Sequence, residues 1–246
     1  MSSSLRKISA LFQKQIRSSY VNTNVLIMLL MSPAIALAYN MFILGNMDTA
    51  YTEDMQYATF ALLVVCISLN IFMVGSLATT YMVSEEKEKH TLRLLIVSSV
   101  SPIEFLLGNG IATLMMVMIS TILIVIIFNM TNFMLLILIA SAVAVVAAIT
   151  LGAVIGILSR DQMHSSVISL PFMSIFSLLP MFAGGSESLE FFMQILFTHQ
   201  LSLMLYMIFT DDLGASLINS ILIILGNAAV FYAIYRYLYL KSLTTE

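Results

Sequence analysis

Six long apolar runs, divided by short polar connections, leave this chain few ways to fold. They extend over Asn24–Leu44, Gln56–Val83, Ile103–Phe128, Phe133–Leu158, Ser165–Phe182 and Ala215–Leu240. At 1.5 Å per helical residue, a hydrocarbon layer about 30 Å thick takes roughly 20 such residues. A soluble core could not hide all of this surface, because 60% of the 246 residues are hydrophobic and only 9% are charged. Soluble domains carry about 25% charged residues. The expectation is an all-α integral membrane protein with six transmembrane helices. Without an internal repeat or a low-complexity linker, residues 1–246 read as a single membrane domain.

The polar segments orient the runs. All ten Lys and Arg residues fall on one side of a six-span arrangement: Arg6, Lys7, Lys14 and Arg17; Lys87, Lys89 and Arg93; Arg160; and Arg236 and Lys241. The opposite loops hold Asp48, Glu53, Asp54, Glu187, Glu190, Asp211 and Asp212, with no base among them. Basic residues beside span ends are retained in the cytoplasm, so both termini are expected there, in a multi-pass protein of a bacterial plasma membrane. Residues 1–23 are too polar for a cleavable signal core. They place Leu5, Ile8, Leu11, Phe12, Ile16 and Tyr20 on one half of a helical wheel and Arg6, Lys7, Lys14 and Arg17 on the other, the pattern of an interfacial helix.

One stretch unsettles the count. Residues 189–209 (LEFFMQILFTHQLSLMLYMIF) are apolar and long enough for a seventh span. That crossing would send Arg236 and Lys241 to the outer side and put Gln194, His199 and Gln200 near the bilayer centre, where polar groups are costly. A re-entrant hairpin over 186–212 on the outer face is preferred.

The connection after the second run, SEEKEKHTLRLLIVSSVSPIEFLLG, carries the most chemistry. Ser84 reads as the N-cap of a short charged helix in which Glu85 and Lys89 form an i,i+4 pair. A second start follows: Ser101 as N-cap, Pro102 at the first helical position, Glu104 closing a capping box, and Val100 with Phe105 as hydrophobic staple. The result is an elbow over 84–101 projecting from the cytoplasmic face.

This run, with Glu85, Glu86, Glu88, Thr91, Leu92, Leu94, Leu95, Ser101, Pro102 and Gly108, resembles the loop between the second and third helices in permease subunits of type-2 ABC exporters. His90, Arg93 and Asn109 depart from the common pattern, where glycine, an acidic residue and lysine are usual. The rest of the layout is similar as well: basic surface helix, six spans, elbow, and apolar outer hairpin before the last span. The resemblance implies a coupling helix seated on a separate ABC ATPase subunit, with Glu85, Glu86, Lys87, Glu88, Lys89, Thr91 and Leu92 in contact with it. It also implies a second permease copy or homologue completing the pathway. No cofactor is expected in this chain, and ATP and Mg would sit on the partner.

Other patterns narrow the chemistry. No lysine follows a glycine, so no Walker A loop is present, and neither H-E-x-x-H nor G-x-S-x-G occurs. No catalytic residue and no nucleic-acid partner are expected. His90, His164 and His199 lie in separate segments, and Cys66 is alone in an apolar run, which argues against a metal site. The span interiors lack carboxylates, which disfavours a proton-coupled carrier. Ala140, Ala144, Ala148, Gly152 and Gly156 place a small residue at every fourth position of the fourth run, a strip suited to close packing, within the subunit or across a dimer. Nineteen methionines suit an adaptable apolar path. An amphiphilic or hydrophobic cargo, such as a peptide toxin, a bacteriocin-like peptide or a drug, fits that lining. The alternatives are a non-transporting anchor or immunity protein, or an exporter of a lipid-linked glycan.

Overall fold

A computed structural model describes residues 3–46, 53–91, 94–95, 98–178, 187–211 and 214–241, and every regular element among them is helical. In chain order these are α1 (Ser3–Val21), α2 (Thr23–Asn46), α3 (Glu53–Asn70), a π-helical segment (Ile71–Leu77), α4 (Ala78–Glu88), α5 (Pro102–Ile127), α6 (Met134–Leu158), α7 (Gln162–Met173) with a second π segment (Ser174–Leu178), α8 (Glu187–Met193), α9 (Phe197–Thr210) and α10 (Ala215–Lys241).

Among the described residues, five helical segments are long and apolar enough to cross a membrane: Thr23–Phe42, Tyr57–Glu88, Pro102–Ile127, Thr131–Leu158 and Ser216–Lys241. The expected span Ser165–Phe182 is helical from Gln162 to Leu178, and its end lies outside the described residues. Its π segment begins three residues after Pro171, whose ring cannot donate to the i−4 carbonyl and crowds it. Residues 189–209 do not form one continuous helix. They break between Met193 and Phe197, and the Gln200 side chain donates to the Gln194 carbonyl across the break.

Helix α6 is the centre of the bundle, buried along most of its inner half and touching α4, α5, α9, α10 and the first π segment. Its small residues are what let span 2 come close. A Cβ on Gly152 would stand 2.2 Å from the Ser76 carbonyl oxygen, and one on Gly156 would stand 2.6 Å from Val83 Cβ. Opposite, a Cβ on Gly75 would meet Ala148 Cβ at 3.0 Å. Ala144 and Ala148 are fully buried on the same helix. Thr80 uses this proximity to donate to the Gly152 carbonyl at 3.0 Å.

One expectation needs correction. Ser84 does not cap a new helix: α4 runs through it to Glu88, and Ser84 is buried, donating to the Tyr81 carbonyl at 3.0 Å. Span 2 stays helical from Tyr57 through the first π segment to Glu88, 32 residues in all, so no helix starts at Ser84. The turn comes instead at Lys89–His90, where His90 takes a left-handed φ of 56°. Helix α1 also packs on the bundle. Its buried stripe (Leu11, Gln15, Ser19) follows helical spacing, and Leu11 lies against Gly108 of α5, where a Cβ would approach Leu11 Cβ to 2.5 Å.

Replacing Gly152 with Ala is expected to lower the thermal midpoint of the detergent-solubilised protein, by about 1–3 kcal/mol of overpacking. Gly226→Ala, where an added Cβ meets nothing within 4 Å, is expected to leave the midpoint unchanged or raise it. Thermal unfolding of the two variants side by side is the measurement.

Candidate functional site

The charged run Glu85–Lys89 lies where α1, α4, α5, α6, α7 and α10 converge, and most of its charges already have a task within the chain. Glu85 pairs with Lys89 one turn on, and the bond to Glu85 holds the Lys89 ammonium above its ordinary pKa. Glu86 pairs with Lys14 of α1 and accepts from the Thr91 hydroxyl. Lys87 donates to the carbonyls of Ile157 (2.7 Å) and Ser159 (2.8 Å). These belong to the end of α6, whose last carbonyls have no intrahelical partner and carry the negative end of the helix dipole. Glu88 accepts from the Gln162 backbone N–H at 3.2 Å, and Asp161 accepts from that of His164 at 2.7 Å. Two carboxylates thus serve the positive end of α7.

The corner into α5 is built as the sequence suggests. Ser101 Oγ accepts from the Glu104 N–H at 3.3 Å, and the Glu104 carboxylate accepts from the Ser101 N–H at 2.9 Å. Val100 and Phe105 are buried together. Three further side chains grip this corner. Lys7 donates to the Ser99 carbonyl at 2.6 Å and lies 3.7 Å from Glu104. Tyr239 donates to the Val100 carbonyl at 3.2 Å, and Tyr235 to that of Pro102 at 3.4 Å. Both tyrosines are buried, and the Tyr239 ring sits 6.1 Å from that of Phe105.

Between the bend at His90 and the turn at Ser98–Ser99, the elbow shows an outward face: His90, Leu94 (67% exposed), Ser98 and Ser99. Leu92 lies outside the described residues. Beside this knuckle, α1 and the end of α4 enclose a groove of about 820 Å³, lined by Gln13, Lys14, Arg17, Glu85 and Lys89 among others.

A family model described as ABC-2 family transporter protein matches residues 49–236. The chain belongs to the ABC-2 transporter family. No curated protein gives a match. Membership makes this a multi-pass membrane subunit of an ABC transporter, a transport rather than a catalytic subunit, and it implies an ABC ATPase as partner. The match covers the elements that meet at the elbow except α1, which joins through Lys7, Lys14 and Leu11, and the end of α10 that carries Tyr239.

The structure brings Glu85, Glu86, Lys87, Glu88, Lys89 and Thr91 to one end of this ABC-2 subunit. It connects them to the small-residue strip through Thr80–Gly152 and Val83–Gly156. Sequence reasoning missed Tyr235 and Tyr239, although two tyrosines four residues apart at the end of an apolar run share a face that can reach a polar corner. It also missed the inward use of Lys87, for which no local pattern gives a signal.

Lys87→Ala is expected to destabilise the subunit by about 1–3 kcal/mol, the range for a charge-assisted bond to carbonyls left otherwise unsatisfied. Lys89→Ala, whose partner is an exposed i,i+4 carboxylate, is expected to change stability by at most about 0.5 kcal/mol. Thermal melts of the purified variants in one detergent separate the two.

Proposed function

We propose that this chain is the permease half of an ATP-driven ABC exporter, with the elbow as its docking point for the ATPase. One observation carries the reading: the end of α4 and the corner into α5 are fastened to α1, α6, α7 and α10, while Leu94 between them is left exposed. A piece held this way transmits displacement to several spans at once, which a loop that merely fixed topology would not require. The basic end faces the cytoplasm, because the cationic side chains of α1, of the elbow and of the 158–162 turn are gathered there.

Docking divides the charged run. Lys87 and Glu88 serve as framework, since their bonds run to α6 and α7. Glu85 and Lys89 border the groove and, with Glu86, Thr91, His90 and Leu94, form the surface that the ATPase covers; Leu92 is proposed as a further contact with it. Two copies of the permease, or this chain and a homologue, enclose the pathway, and the apolar lining suits an amphiphilic cargo. The pair α8–α9 forms the re-entrant hairpin of the outer leaflet. Phe209 at one end of α9 stacks on Phe60 and contacts Phe133, at span ends far from the elbow. At the other end Phe197 stacks on Phe176, and the preceding Ile195 carbonyl accepts from Asn227, deep in α10.

The test is recovery of the ATPase subunit on the tagged permease after co-expression. Leu94→Asp is expected to cut recovery roughly tenfold or more, as loss of an interface anchor does, with membrane insertion unchanged. Replacing Glu85 and Glu86 with Ala is expected to weaken recovery as well. Full recovery in the Leu94 variant would remove the elbow from the docking surface.

A further inference from the structure

Asn70 is a fully buried amide in the middle of span 2, and all of its hydrogen-bonding capacity goes to other spans. Its Oδ1 accepts from Ser32 of α2 (2.9 Å) and Ser120 of α5 (2.7 Å). Its Nδ2 donates to Thr121 Oγ1 (3.1 Å) and to the Val117 carbonyl (3.4 Å), both on α5. The next residue begins the π segment Ile71–Leu77, in which the helix widens and the Ala78 N–H reaches the Met73 carbonyl five residues back. Below it, α4 is tied to different spans. Thr80 bonds Gly152 and Lys87 bonds the end of α6, while Tyr81 meets Ser166, Ser84 meets Ser165 and Glu88 caps α7. The hydroxyls of Thr79 and Thr113, where α4 faces α5, stand 3.4 Å apart, and each donates to its own helix, at Gly75 and Asn109.

Span 2 is therefore two pieces, one fastened to α2 and α5 and the other to α6 and α7, with a wide turn between them. The hydroxyls of Ser68 and Ser76, on either side of Asn70, are buried without a partner. The hydroxyls of Thr150 and Ser169 return to a carbonyl three or four residues earlier, whereas those of Ser141, Ser177 and Thr198 are open as well. Buried polar groups left open cost free energy, so this arrangement of the turn carries a cost that a shift satisfying them would remove. π turns inside α-helices recur at functional sites. We propose that Asn70 is a positioning residue: it anchors the outer half of span 2, so that a movement of the elbow is absorbed and relayed at Ile71–Leu77 as a joint.

The inference rests on the transport reading for its use, but its test needs neither ATPase nor cargo. In a Cys66→Ala background, spin-label pairs are placed at Tyr57 with Lys89, across the joint, and at Lys89 with Leu170, within the inner piece. The full chain is held in lipid nanodiscs and the interspin distances are measured. With Asn70 present, both pairs are expected to give narrow distributions. In Asn70→Leu, the pair across the joint is expected to broaden or gain a population displaced by several ångströms, since one residue of register is about 1.5 Å and 100°, while the inner pair is unchanged. Thr121→Val, which removes one acceptor only, is expected to shift the same pair less, and it keeps the test open should Asn70→Leu fail to fold. Equal broadening of both pairs would reduce Asn70 to general packing, and no change in either would remove the anchor; each outcome overturns the proposal.

Discussion

The approach of the Ser76 carbonyl to Gly152 sets the geometry on which everything else depends. Between lipid-embedded helices there is no hydrophobic gain to drive association, because lipid tails are as apolar as the side chains they would replace. Closeness has to come from small residues and from the few polar groups that find one another. Gly75, Gly152 and Gly156 provide the first, and Thr80 donating to the Gly152 carbonyl provides the second. Once span 2 is seated on α6 at this depth, its cytoplasmic end emerges beside the end of α6 and the start of α7. Only there can Lys87 and Glu88 meet opposite helix termini.

Those termini explain why one short run alternates its charges. The end of α6 presents unpaired carbonyls and needs a cation, while the start of α7 presents unpaired N–H groups and needs an anion. Lys87 and Glu88 are adjacent in the chain yet point to the two termini, which lie on either side of the turn at Ser159–Asp161. Glu86 turns the other way, to Lys14. The same pattern could be read as a solvated face or as a docking face, and in this fold much of it is a clamp. On the proposed reading, what remains for a partner is the tip beyond His90 together with the groove-side rim at Glu85 and Lys89.

How much of this was legible follows from the range of the forces involved. The transmembrane class, four of the runs as single helices, and the Ser101–Glu104 capping box came through because apolar length and capping act within one or a few turns of helix. The Glu85–Lys89 pair was readable for the same reason. Ser84 misled because a serine before two glutamates has the form of an N-cap, and nothing nearby in sequence reveals that the preceding helix continues through it. The clustering of bases on one side predicted where the chain turns, but not that Lys7 would reach the Ser99 carbonyl or that α1 would lie along α5. Tyr235 and Tyr239 depend on residues more than a hundred positions away. Asn70 stood in plain view as a lone amide in an apolar run, and its meaning needed Ser32, Ser120 and Thr121 from two other spans.

The polar groups inside the bundle also bear on where the energy for transport enters. Asn70, Thr80 and the back-bonded hydroxyls of α5 and α7 are engaged with one another or with backbone carbonyls. None is a carboxylate, and among the described residues no group of three or more His, Cys, Asp and Glu is placed to hold a metal ion. An ion-coupled carrier keeps a charge-bearing group in the membrane so that its protonation or coordination can favour one state over another. The basic side chains of this chain gather instead at one end, with carboxylates beside them on the helix termini of α4 and α7 and on the corner into α5. A bias applied there acts directly on the ends of the spans. On the proposed reading that is where a separate ATPase subunit would do its work, with mechanical continuity from the elbow into span 2 to carry it.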